Sequence, residues 1–394
     1  MDEGLMKTYA RMPEVFTNGC GAVLVTEDGR QFLDFLAGIA VSALGHADPD
    51  LVAALRDQVG KVVHLSNLFR HPYTEAVATR LCKLTGMGAA FFTNSGTEAM
   101  ECALKLARKA MHVRGTPHRT SFVAIEGGFH GRTMGAVSLT HNEKYRKPFA
   151  PLLDVTWVAP GDVEGLARVL REKQPAALVL EPVQGEGGIR DLGADFLRAA
   201  RRLCDETGTL LVHDEVQCGC GRTGDFLGAM AHGVTPDVVV LAKPIAAGLP
   251  MGACLASAAL ADTFAPGEHG STFAGGPLVC RAALVFLQRI EEGGLMANVR
   301  ERGAQLRMGL EQLQREFPTL VREVRGRGLM LGLRMHHSGK EFQQGLYKAG
   351  VITNLTAGDV IRIVPPYVVT AEQVDAALAR MRSVLSSLPV EVKS

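Results

Sequence analysis

ALVLEPVQGEGG (residues 177–188), LLVHDEVQ (210–217) and VVVLAKP (238–244) share one plan: a short apolar run that stops at an ionisable side chain. Runs this apolar leave no face for water, so they read as strands buried on both sides, as in a parallel sheet covered by helices. Working outward, strand candidates of this kind occur at 89–93, 121–125, 176–180, 209–213, 237–242 and 253–256, with helical patterns between them. The expected fold class is α/β.

After Pro277 the pattern changes. A long helical region is interrupted at Gly293 and Gly294, and two more strand candidates follow at 329–335 and 360–364, which implies a second, smaller unit. Its last helix is marked by a capping box, Thr370 with Gln373, and by Val374, Leu378, Met381, Leu385 and Leu388 on one face, a stripe that reads as core. Near the start, GRQFLDFLAGIAVSALGH (29–46) holds an alternating strand and then small residues, expected to pack on the C-terminal unit or across the site. The expected division is an N-terminal segment 1–48 belonging to the smaller α+β unit, a large domain 49–276, and the rest of the smaller unit at 277–394.

A chain of 394 residues exceeds one simple core. Its 42 basic and 41 acidic side chains leave a formal charge of +1, so nothing drives binding to a nucleic-acid backbone or an anionic membrane. The first twenty residues contain no apolar stretch of signal-peptide length, and the uncharged stretch 244–261 is broken by Gly248, Pro250 and Gly252. The expectation is a cytosolic protein that handles small molecules. Its eight cysteines are scattered, and Cys218 and Cys220 lack a second Cys or His pair, so disulfides and a metal are not expected.

Ligands of an open parallel sheet bind beyond the carboxyl ends of its strands, which raises the weight of the residues found there. In FFTNSGTEA (91–99), Ser95, Gly96 and Thr97 open a helix whose free N–H groups and positive dipole end suit a phosphate. Ser95 and Glu98 equally fit a capping box that needs no ligand. Asp214, a buried carboxylate, requires a cation or a strong donor, and a protonated pyridine nitrogen would supply one. Lys243 in apolar company would be neutral and nucleophilic toward an aldehyde. Taken alone it reads better as a lysine snorkelling from a sheet edge; the combination reverses that preference.

The chain resembles the class III, or ω-amino acid, aminotransferases of fold type I, and most closely the acetylornithine aminotransferase group. The resemblance runs over nearly the whole chain, through LDFLAGIAVSALGHADP (33–49), HLSNLF (64–69), FFTNSGTEAMECALKLAR (91–108), GGFHGRTMGAVSLT (127–140), LEPVQGEGG (180–188), LLVHDEVQCGCGRTG (210–224), LAKPIAAGLPMGA (241–253), GSTFAGGPLVC (270–280) and IRIVPP (361–366). It implies pyridoxal 5′-phosphate bound through Lys243, a mainly parallel seven-stranded sheet, and a homodimer with shared active sites. By the same resemblance Gly96 and Thr97 hold the phosphate with Ser95 nearby, Thr272 reaches the neighbouring subunit's phosphate, Phe129 stacks on the ring, and Gln217 bonds its phenolic oxygen. Arg132 takes a substrate carboxylate, Glu186 and Arg362 form a gate that opens for 2-oxoglutarate, Glu181 orients this network, and Ser271 contacts the donor.

Ile39 stands where free-ornithine enzymes of the family carry a tyrosine, which disfavours free ornithine as donor. Pro244, Gly276, Cys218 and Cys220 depart from the family pattern, and Pro244 is expected to bias Lys243 toward an extended backbone. His46, His64, His130 and His213 read as packing residues. The expected reaction moves the ω-amino group of N2-acetyl-L-ornithine to 2-oxoglutarate, in arginine biosynthesis. The rivals are a lysine-pathway donor (carrier-protein-linked lysine or N-succinyl-diaminopimelate), 4-aminobutyrate, and an aminomutase of the same fold. A non-catalytic regulator would need a further module, and fewer than fifty residues precede the family pattern, without a basic helix-turn-helix signature.

Overall fold

In the computed structural model, which describes residues 4–389, seven strands form the central sheet. Their spatial order is Ala89–Thr93, Gly252–Ala256, Val238–Leu241, Leu210–Asp214, Ala177–Leu180, Phe122–Ile125 and Val155–Val158. From Val238–Leu241 onward every neighbour is parallel. Gly252–Ala256 is antiparallel to both of its neighbours, which the sequence pattern did not foresee. Only residues 242–251 separate it from Val238–Leu241, fewer than a parallel crossover needs.

Alternate residues of these strands enter different layers, as a pleated strand requires. Leu178 and Leu211 share a core with Leu166 and Leu170 of helix Val163–Lys173 and with Phe196 and Leu197 of helix Ala194–Thr207. Val179 and Val212 share another with Ala103, Leu106 and Ala107 of helix Gly96–Val113. Water is excluded from both faces, so whatever chemistry the sheet supports is pushed to its edge.

The smaller sheet is antiparallel, in the order Val321–Arg327, Met330–Met335, Val360–Ile363, Asn354–Thr356. Near the other end of the chain, Phe16–Cys20, Val23–Thr26 and Gln31–Asp34 run antiparallel, and Val351–Ile352 completes their sheet in parallel register with Leu33 and Asp34. Segment 29–46 thus packs on the C-terminal part through Leu33 and Asp34, and its Val41 reaches a cavity at the edge of the large sheet. Helices Pro277–Glu291 and Leu295–Glu316 break at Gly293 and Gly294, where the sequence placed the interruption. Val374, Met381 and Leu385 of the last helix are buried in one core with Leu306, Leu310 and Leu313, and Leu378 and Leu388 pack against it. Among the described residues no helix is long and apolar enough to cross a membrane.

That last helix, Ala371–Ser387, starts on a complete capping box: Gln373 N donates to Thr370 Oγ1 at 3.3 Å, and Thr370 N donates to Gln373 Oε1 at 3.0 Å. Replacing Thr370 with alanine should lower unfolding stability by about 1 kcal/mol. A lower urea midpoint with unchanged turnover per folded molecule is the expected result.

Candidate active site

Four strands end at one edge of the large sheet, and each delivers a functional segment: Ala89–Thr93 leads to Ser95 and Gly96, Ala177–Leu180 to Glu181, Leu210–Asp214 ends on Asp214, and Val238–Leu241 leads to Lys243. A cavity of about 440 Å³ opens there. It is lined by Ser95, Gly96, Thr97, Phe129, Arg132, Glu181, Asp214, Gln217 and Lys243.

Ser95 caps helix Gly96–Val113 by accepting from Glu98 N at 3.3 Å. The other arm of the expected box is displaced by one residue, because Glu98 accepts from Asn94 N at 2.6 Å and Asn94 Nδ2 at 3.0 Å. A first-turn N–H has no acceptor within its own helix, so the donors of Gly96 and Thr97 are available to an anion. Gly96 must lack a side chain, since a Cβ would lie 2.9 Å from both methyl carbons of Val216. The Thr97 hydroxyl accepts from the N–H groups of Arg132 and Thr133, each at 3.2 Å, and pairs with Thr133 Oγ1 at 2.8 Å. It therefore ties the 131–133 loop to the helix start.

Asp214 is 4% exposed. Its Oδ2 accepts from His130 Nδ1 at 2.8 Å and its Oδ1 from Val216 N at 3.1 Å. Burial works against a charged His130, yet the Asp214 hydrogen bond and the charges of Asp214 and Glu181 raise its pKa overall. His130 Nε2 is buried without a partner. Glu181 accepts from Phe129 N at 2.9 Å and Gly185 N at 3.0 Å, so it joins two loops of the site. Burial pushes its carboxyl up to about 7, with His130 opposing and Asp214 reinforcing the rise.

Lys243 keeps some surface open to the cavity but is surrounded by protein, and that desolvation lowers its pKa against the opposing pull of Asp214 and Glu181. Its backbone is not extended: φ is 43°, at the start of a 3-10 turn, Lys243–Ala246. The short return to Gly252–Ala256 forces the chain to turn here, and that requirement overrides the bias of Pro244.

Arg362 is 1% exposed, and its Nη1 donates to Glu186 Oε1 at 2.6 Å and to Gln217 Oε1 at 3.2 Å, while its Nε donates to Asn354 Oδ1 at 2.9 Å. With Oε1 of Gln217 engaged by Arg362, its amide nitrogen is left to donate into the cavity. Ser271 and Thr272 lie outside the cavity wall, on a loop held by Asn67 Nδ2 to Ser271 O at 3.1 Å and His71 Nε2 to Gly275 O at 2.8 Å. Ser271 Oγ touches the site through Asn94 Nδ2 at 3.1 Å, and Thr272 is exposed.

His130 and Asn354 escaped the sequence reading. The histidine was read as packing, although its place beside Phe129 in FHGRT was a signal; Asn354 offers none.

The donor set fits pyridoxal 5′-phosphate. The N–H groups of Gly96 and Thr97 would take its phosphate, the Asp214 carboxylate its protonated ring nitrogen, the Gln217 amide its phenolic oxygen, Phe129 its ring face and Lys243 its aldehyde.

The sequence matches the family described as Aminotransferase class-III over residues 6–385. It is 41% identical to an acetylornithine aminotransferase of Aquifex aeolicus across 97% of this chain and 99% of that one. Its fold is similar to a crystal structure of the ornithine aminotransferase from Toxoplasma gondii ME49, with a TM-score of 0.93 and 31% identity over 98% of this chain and 93% of that one. It is also similar to an amine transaminase from an uncultivated Pseudomonas species solved in its pyridoxal-phosphate-bound form, with a TM-score of 0.90 and 28% identity over 98% and 99%.

Removing His130 leaves the buried Asp214 carboxylate without one of its two hydrogen-bond donors. His130→Leu should therefore cost the apoprotein about 3 kcal/mol, read as a lowered urea midpoint.

Proposed function

The chain belongs to the class-III aminotransferases, and on that premise we propose that it moves the ω-amino group of N2-acetyl-L-ornithine to 2-oxoglutarate, giving N-acetyl-L-glutamate 5-semialdehyde and L-glutamate. The observation that carries this reading is the Glu186–Arg362 pair, closed at 2.6 Å behind the cavity wall and bonded to it through Gln217, together with Arg132, which lines the cavity and has no carboxylate partner among the described residues. One cationic subsite is masked and one is free. A donor with a single carboxylate and a neutral acylated amine suits the masked state; a dicarboxylate acceptor needs both arginines.

When bound, the cofactor supplies an aldehyde that takes up the donor's amine and a ring that delocalises the electron pair left by a departing proton. The residues supply the rest. Lys243, its pKa lowered, would be the base that takes the proton from the carbon bearing the donor's amine and carries it through the transfer. Asp214, held by His130 and Val216, keeps the ring nitrogen protonated. Ser95, Gly96 and Thr97 bind the phosphate, Phe129 and Gln217 orient the ring, and Arg132 holds the donor's carboxylate. When 2-oxoglutarate enters, Glu186 swings away and Arg362 takes its α-carboxylate, with Glu181 and Ser271 supporting the surroundings. Ile39, aliphatic and 37% exposed, gives no polar handle for the unacylated end of free ornithine.

In the same reading residues 49–276 carry the cofactor, and the described residues of 1–48 and 277–394 form the smaller unit, the ends 1–3 and 390–394 lying outside the described residues. In this reading two copies assemble in the cytoplasm as a homodimer, with Thr272, exposed and outside its own cavity wall, reaching the neighbour's phosphate.

Steady-state kinetics on a donor panel test the substrate. The expected order places N2-acetylornithine first in kcat/KM, ahead of ornithine, 4-aminobutyrate, N-succinyl-diaminopimelate and carrier-linked lysine; any other donor in first place overturns it. Turnover without an acceptor would favour an aminomutase. Glu186→Ala should shift kcat/KM about tenfold from acetylornithine toward glutamate, the scale of one charge-assisted hydrogen bond. Unchanged ratios would count against the gate.

A further inference from the structure

Arg132 differs from Arg362 in how its guanidinium is held. Its Cζ lies 3.7 Å from the centroid of the Tyr145 ring and 5.4 Å from that of Phe129. Those two rings meet edge to face, with centroids 6.3 Å apart and planes at 89°. Among the described residues no carboxylate pairs with Arg132, although its backbone N–H is anchored on Thr97. The side chain is thus fixed at its root by a hydrogen bond and at its tip by an aromatic face.

A guanidinium stacked on a ring uses its flat face and leaves its N–H edge free, and that edge is what a carboxylate engages with two parallel hydrogen bonds. Stacking also removes rotamers that a free arginine would have to give up on binding. Tyr145 is well placed for this. It sits half-buried on the short helix Glu143–Arg146, capped by Asn142 accepting from Lys144 N at 3.1 Å. It lines a second cavity of about 660 Å³ that shares Phe129 with the first.

We propose that Tyr145 is the residue that positions Arg132 for the donor's carboxylate, acting through its ring face and not through its hydroxyl. The inference rests on the reading that Arg132 receives that carboxylate. Tyr145 acts through Arg132 and is a positioning residue whose effect appears in donor affinity.

The experiment compares two donors that differ only in the carboxylate, N2-acetylornithine and N-acetylputrescine, at saturating 2-oxoglutarate. Tyr145→Leu should raise the KM for acetylornithine roughly three- to thirtyfold with little change in kcat, and leave both constants for N-acetylputrescine within about twofold. Tyr145→Phe should restore the acetylornithine KM. Tyr145→Met replaces the leucine variant if that one does not accumulate. Equal losses on both donors, or a phenylalanine variant as impaired as the leucine one, would overturn the proposal. Arg132→Ala separates this from the premise: if it leaves discrimination between the donors intact, the carboxylate does not bind there. If it removes discrimination while Tyr145→Leu does not, the role of Tyr145 alone fails.

Discussion

A carboxylate buried at the end of a strand has no water to solvate it, and the demand of Asp214 for partners organises much of the site around it. Its two oxygens draw in His130 and the N–H of Val216. Pinning His130 pins the loop on which it lies, and that loop also carries Phe129 and Arg132. The same loop is tied to a second strand-end carboxylate through Phe129 N and Glu181, and to the start of helix Gly96–Val113 through the Thr97 hydroxyl. Two strand ends and one helix start therefore hold one loop. Such buried pairs add little net stability, but losing a member is costly, so they act as locks on geometry.

The two arginines illustrate opposite solutions for a cation that must wait for an anion. Arg362, buried, cannot be left bare, so amide oxygens from Asn354 and Gln217 share its donors with Glu186. Glu186 is the more exposed partner at 32%, and without it two neutral acceptors would remain, so the charge would not be orphaned. Arg132, exposed, can stay solvated and needs orientation more than neutralisation, which an aromatic face gives without occupying its hydrogen-bonding edge.

Most of the large sheet was legible because its strands are buried on both faces and bear little but apolar side chains. The exceptions have physical reasons. Val155–Val158 lies at the sheet's edge and is mostly half-buried, so its pattern is diluted. Gly252–Ala256 was found, but a run such as GACLA reads alike in either direction, and only the length of the connection fixes its orientation. Within the site, residues at strand ends and at the helix start stood out because their chemistry contrasts with their apolar flanks. The contacts of His130 with Asp214, and of Asn354 with Arg362, join segments whose local patterns say nothing about each other, and only folding brings them together.

A second buried aspartate does at the cavity's rim what Asp214 does at its floor. Asp34 Oδ1 accepts from Leu36 N at 3.1 Å and Ala37 N at 2.7 Å, and its Oδ2 pairs with His46 Nε2 at 2.8 Å. These bonds hold a turn in which Ala37, Gly38, Ile39 and Ala40 all have left-handed φ, between 50° and 65°. For a β-branched isoleucine that conformation is a true outlier, and strain of this kind persists only where the surroundings over-determine it. The turn delivers Val41 to the cavity wall. A relaxed backbone would follow a different path after Asp34, so the shape of the rim depends on Asp34 as much as the 127–133 loop depends on Asp214. Lys243, in the cavity wall itself, is likewise held at positive φ, 43°.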